Sequence, residues 1–240
     1  MSSLDTIIDR YTFQTRLLPV FITLLPVSAF VIAIFPNELT LLGAVAGVAT
    51  SMGLPALLSH IGRDNGQKKE PQLFAMWGGV PSNLMLSYQN STFDKNSLER
   101  YRAKIADLMN ITLPSHHDEA KNYTDAMESY QSCTNFLRER TRNTKTFALL
   151  FSENINYGFR RNLWGLKPVG VTIAAVFAVA SSVVLYVDVI TESPYIVSSI
   201  ATVFCFLLIG AWVLIIKPEW VKVPAQAYAE RLIASCENIV

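Results

Sequence analysis

The sequence predicts an all-α integral membrane protein: two transmembrane helical hairpins, four spans in all, flank a helical cytoplasmic domain in an oligomeric assembly. Three observations carry this. The chain of 240 residues is 51% apolar and only 16% charged, with a mean hydropathy of +0.30. Residues 17–35, 39–59, 168–187 and 193–216 contain no Asp, Glu, Lys or Arg. At ~1.5 Å per helical residue, each run is long enough for a hydrocarbon core of roughly 30 Å. Four such runs leave too little polar chain to cover them in a water-soluble core, and the composition excludes a secreted disulfide scaffold, a disordered chain and a free cytosolic enzyme.

Residues 1–16 precede the first run, and Leu4, Ile7, Ile8 and Tyr11 share a face, as in an amphipathic helix at a membrane surface. The first hairpin occupies 17–59, turning at 36–38 beside Glu38. No small-residue cleavage site follows the first apolar run, so it is expected to stay in the mature protein. The segment 60–167 forms the cytoplasmic domain, 168–216 the second hairpin with Asp188 and Glu192 at its turn, and 217–240 a C-terminal amphipathic helix. All twenty basic residues lie at the termini or in the central segment, and the two turns have none. Lys and Arg resist translocation, which puts both termini and the centre in the cytoplasm.

Within the central segment, Gly62, Gly66, Pro71, Gly78, Gly79 and Pro81 predict an irregular stretch over 62–97. Leu98, Tyr101, Ile105 and Leu108 then predict a helix capped by Asn96 or Ser97. A second helix is expected from Ser115–Asp118 to Thr141–Thr144, and a third from Lys145 through Gly158 towards the third span. After Pro218 and Pro224, Ala227, Leu232, Ile233 and Cys236 recur at helical spacing, as a possible assembly face.

Chemistry-bearing motifs are sparse. His116 and His117 are adjacent, so their side chains diverge on a helix, and no second ligand pair at zinc spacing accompanies them. Asp118 and Glu119 read as cap and surface charges. Gly78-Gly79-Val80-Pro81 lacks the Lys-Ser/Thr of a phosphate-binding loop, and no nucleophile motif occurs. Cys133, Cys205 and Cys236 are unpaired in spacing, as in a reducing compartment. The expectation is a protein that is not an enzyme and holds no metal or cofactor.

Charge is more informative. The central segment carries fifteen basic against eleven acidic residues. Arg138, Arg142 and Lys145 are expected on one helix face, and Arg160 and Arg161 stand before the third span. Guanidinium forks match phosphates, so these five are candidate contacts for an anionic ligand. Positive-inside anchoring and intraprotein pairing explain the same residues. In the spans, Gly43, Gly47, Thr50 and Ser51 and, later, Ser198 and Thr202 suit either close helix packing or a pore lined by several copies of one helix.

Three stretches carry a resemblance: Tyr11-Thr12-Phe13-Gln14-Thr15-Arg16-Leu17-Leu18-Pro19, Trp77-Gly78-Gly79-Val80-Pro81-Ser82, and Tyr157-Gly158-Phe159-Arg160-Arg161-Asn162-Leu163-Trp164-Gly165-Leu166-Lys167-Pro168. Together they look like a bacterial family of small inner-membrane proteins with two hairpins around a cytoplasmic insert. The layout also resembles the membrane effector of the Hailong antiphage defence system. That resemblance implies a homo-oligomeric ion channel in the lipid bilayer, held closed by a single-stranded DNA oligomer from a partner nucleotidyltransferase. Loss of the ligand would open it, with depolarisation and growth arrest. A non-conducting scaffold that docks protein partners is the alternative from another class, and a small transporter is a third. Transport sits poorly with spans that lack an ionisable residue at mid-depth.

Overall fold

The computed structural model describes residues 10–34 and 41–239, with the backbone alone for 41–54. Among the described residues all regular structure is helical. The expected N-terminal amphipathic face at Leu4, Ile7 and Ile8 and the turn at 36–38 lie outside them. Helix α1 runs Arg10–Ile34, α2 Leu41–Trp77, α3 Pro81–Leu84, α4 Lys95–Met109, α5 His116–Lys121, α6 Tyr123–Arg140, α7 Ala148–Ile190, α8 Ile196–Leu214 and α9 Pro218–Ala234, followed by a 3-10 turn, Ser235–Asn238. Of these, α1, α7 and α8 are long and apolar enough to cross a membrane. The charge-free run 39–59 falls on α2 from Leu41 onward.

The chain forms two compact units: residues 1–70 with 158–221, and residues 71–157 with 222–240. In the first, α1 packs along α8, and Phe30 meets Phe177 of α7 edge-on at 5.1 Å. Val20, Leu58, Leu163, Leu166, Ala174 and Trp212 form its core. Its outward surface is also apolar: Val179, Tyr186, Ile196, Ile200, Leu207 and Leu214 are each about two-thirds exposed. So continuous an apolar exterior is costly in water and costs nothing in lipid.

The irregular stretch expected from Gly62 does not start there. Helix α2 continues through Gly62, Gly66 and Pro71 to Trp77 because the two glycines are packing residues. A Cβ on Gly62 would lie 2.9 Å from the Leu166 side chain, and one on Gly165 would lie 2.5 Å from the Gly66 nitrogen and 2.8 Å from the Gly62 carbonyl oxygen. Backbones touch at this crossing, as small residues four apart permit. The turn comes at Gly78 (φ 85°) and Gly79 (φ 145°), angles that favour glycine.

The second unit buries Leu86, Tyr101, Ile105, Tyr130, Leu137, Leu232 and Ile233 in one core. The apolar face of the C-terminal helix, with Leu232, Ile233 and Cys236 buried, is thus part of this unit's interior. Helix α4 starts two or three residues earlier than the expected caps imply, with the Asp94 carboxylate accepting from the Ser97 N–H at 3.0 Å. The second expected helix begins where the acidic residues indicate, in a capping box between Ser115 and Asp118. It breaks at Asn122 (φ −143°, ψ 88°), whose side chain caps α6 by accepting from the Asp125 N–H.

Candidate functional site

Two of the three stretches that carry the resemblance meet inside the first unit. Phe13–Leu17 forms a π-helical turn closed by the Leu18 N–H donating to the Phe13 carbonyl. Such a turn takes carbonyls off the usual ladder. That of Thr15 accepts from Asn162 Nδ2 at 2.7 Å in a buried setting. The Thr15 side chain lies against Gly158, where an added Cβ would sit 3.1 Å from its methyl. Asn162 Oδ1 accepts in turn from Arg161 Nε and Nη2, each at 3.3 Å. Arg161 Nη1 donates to Glu70 Oε1 at 3.2 Å in a mostly buried ion pair. Beside it, Arg160 Nη1 donates to the Trp220 carbonyl at 2.8 Å, with its guanidinium 4.7 Å from the Trp220 ring centre. Arg161 therefore ties α7 to α2, and Arg160 ties it to the start of α9.

The remaining candidate cations belong to the second unit. Helix α6 ends at Arg140, so the expectation that Arg138, Arg142 and Lys145 share one helix face fails: the last two lie in the turn beyond it. Asn143 drives that turn, its Oδ1 accepting from the Lys145 and Thr146 N–H groups. Arg138 makes long hydrogen bonds to Asn135 Oδ1 (3.5 Å) and Ser82 Oγ (3.3 Å). Arg142 pairs with Glu139 at 2.7 Å, with both side chains mostly exposed. Cations at a helix C-terminus also complement the helix dipole.

The unit boundary redistributes the charge. Residues 71–157 and 222–240 hold eleven basic and eleven acidic side chains. The basic excess of the central segment resides entirely in 60–70 and 158–167, which belong to the unit with the apolar helices. There, Arg63, Lys68, Lys69, Arg160, Arg161 and Lys167 face only Asp64 and Glu70.

In the apolar helices, Ser198 Oγ donates to Asp188 Oδ2 at 2.6 Å, and Thr202 Oγ1 donates to the Ser198 carbonyl at 2.8 Å. Both are buried and spend their protons inside the protein. The side-chain surroundings of Gly43, Gly47, Thr50 and Ser51 lie outside the described residues.

The reading of Glu119 as a surface charge is corrected: it is 2% exposed. Ser87 Oγ donates to its Oε1 at 2.5 Å, and Tyr130 Oη and the Tyr88 N–H donate to its Oε2 at 2.6 and 3.2 Å. Arg102, buried with it, donates to Tyr130 Oη at 2.8 Å and to the carbonyls of Leu86 and Pro114. Its guanidinium stands 4.3 Å from the Tyr88 ring centre. Burial raises the Glu119 pKa, but the three hydrogen bonds and the Arg102 charge outweigh it, and the carboxyl ends below its ordinary value. Burial, and then the bond to Glu119, raise that of Tyr130. The network joins α4, α5 and α6 to the segment 86–88.

Burial likewise pushes the thiols of Cys133 and Cys236 up to about 11, which leaves them poor nucleophiles. Among the described residues no three His, Cys, Asp or Glu side chains gather as metal ligands. Comparison with protein-family models, with curated proteins and with solved structures found no match to this chain.

Proposed function

We propose that this protein is a multi-pass, oligomeric inner-membrane ion channel, with four spans, cytoplasmic termini and a cytoplasmic helical unit that senses an anionic ligand. The carrying observation is that α1, α7 and α8 are long and apolar enough to cross a membrane, while the second unit closes a core of its own and carries exposed cations. Arg142 and Lys145 are exposed, and Arg138 holds only long bonds to neutral partners. These three are the proposed contacts for phosphates of a single-stranded DNA oligomer, and an antiphage effector is the role in which such gating serves. Arg160 and Arg161 position helices in this reading. Ser198 and Thr202 pack, and the small residues Gly43, Gly47, Thr50 and Ser51 of α2 are the proposed pore side.

The equal count of acidic and basic residues in the second unit favours a second reading, a non-conducting scaffold docking protein partners. Planar-bilayer recording of the purified full chain, with and without short single-stranded DNA on the side of that unit, separates the two. Discrete currents that DNA suppresses or evokes support the channel. A silent bilayer containing folded protein overturns it in favour of the scaffold. Replacing Arg138, Arg142 and Lys145 by Gln should weaken DNA binding and flatten its salt dependence; unchanged binding removes the site.

A further inference from the structure

In the first unit, α2 and α7 leave a groove of about 490 Å³ lined by Lys69, Trp164, Lys167, Pro168, Val171 and Thr172. We propose that it binds the headgroup phosphate of an anionic phospholipid, with the upper acyl chain along Val171. The inference rests on the membrane reading above.

One end of the groove is cationic and no carboxylate lines it. Glu70, next in sequence to Lys69, is occupied by Arg161. Lys69 Nζ sits 5.3 Å from the Trp164 ring centre, a contact to the ring face that consumes no N–H donor. Lys167 Nζ donates to the Ile216 carbonyl at 2.7 Å, which uses one of an ammonium's three protons. A phosphate meets donors from two helices here, in a volume within the range of small-molecule sites.

The other end is apolar and opens the charge-free run 168–187. A soluble phosphate has no use for that half, whereas a phospholipid places its glycerol and first methylenes there. Trp164 stands at the transition, the depth at which tryptophan is enriched in membrane proteins. The close crossing of Gly62 and Gly66 with Gly165 holds α2 and α7 together at this level, so an occupied groove would brace the same helix pair.

The test uses the full chain in detergent. Native mass spectrometry and thermal unfolding are followed on adding phosphatidylglycerol, phosphatidylcholine or glycerol phosphate. Phosphatidylglycerol should bind and raise the unfolding midpoint, and phosphatidylcholine should not. Each lysine replaced in Lys69→Gln and Lys69→Gln/Lys167→Gln should weaken binding about fivefold, while Lys69→Arg retains it. If the double variant does not fold, Lys69→Gln and Lys69→Arg decide the matter. Equal response to both lipids, or undiminished phosphatidylglycerol binding by Lys69→Gln, overturns the site. An equal response to glycerol phosphate overturns the lipid as its source. Carbonate washing of cell membranes keeps the two readings apart: release of the chain defeats the membrane reading itself, and retention without lipid preference defeats only the site.

Discussion

Where two helices of the first unit come closest, the contact is made by residues that have almost no side chain, whereas the second unit joins its segments through residues that have a great deal. At the crossing of α2 and α7, Gly62, Gly66 and Gly165 put backbone on backbone. In the second unit, Arg102, Tyr130, Glu119 and Ser87 tie four segments with charge-assisted bonds inside an aliphatic core. Small residues four apart let two helix backbones approach closely enough for dispersion to act along both chains. In water the hydrophobic effect closes the core, and a buried polar cluster is tolerated when each member is bonded.

Arg102 is the residue on which the second unit depends most. Arg102→Ala leaves Glu119 buried without a countercharge and Tyr130 without a donor, at a cost of about 3–5 kcal/mol. Hydrogen exchange in the full chain should show amides of 71–157 losing protection, with those of α8 unchanged.

Next is Gly165→Ala, whose methyl meets backbone atoms of α2 that cannot rotate away. Overpacking of this kind costs about 1–3 kcal/mol. Gly210 is the control, since nothing lies within 4 Å of its added Cβ. Gly210→Ala should stabilise by about 0.5–1 kcal/mol through helix propensity. Thermal unfolding in detergent reads both, and equal effects would refute the close-packing account.

Smallest, and confined to the second unit, is a pH effect. Glu119 has a folded pKa below its ordinary value of 4.5. Its contribution is therefore fully present above about that pH and is lost as pH falls through the lower folded value. Hydrogen bonds from Ser97 and Ser115 shift the cap residues Asp94 and Asp118 in the same direction. Denaturation between pH 3 and 7 should show an acid limb in this unit that Glu119→Gln makes shallower; an unchanged slope would assign the limb to the caps.

Much of the fold was legible residue by residue. Charge-free runs located α1, α7 and α8 because a hydrocarbon solvent tolerates few alternatives, and Ser115 with Asp118 marked a helix start because that bonding is local. Gly62 and Gly66 were misread because glycine breaks a helix in water and joins helices at a close crossing, and spacing alone does not say which. Their four-residue interval, the same as that of Gly43 and Gly47, was the available signal. The break at Asn122 was equally local, yet it sat within an unbroken apolar periodicity that concealed it.

For the candidate site, the chain alone showed which residue types were present and that the central segment carried a basic excess. Where each charge is spent depends on the fold. Arg161 is directed to Glu70, ninety-one residues away in the chain, and Glu119 is buried by Ser87 and Tyr130 from other segments. Composition and periodicity report the solvent that each stretch of chain prefers, because that is a property of the stretch alone. The partner of a side chain depends on which distant backbone folding brings beside it, so Lys69 and Lys167 became one groove only when α2 crossed α7.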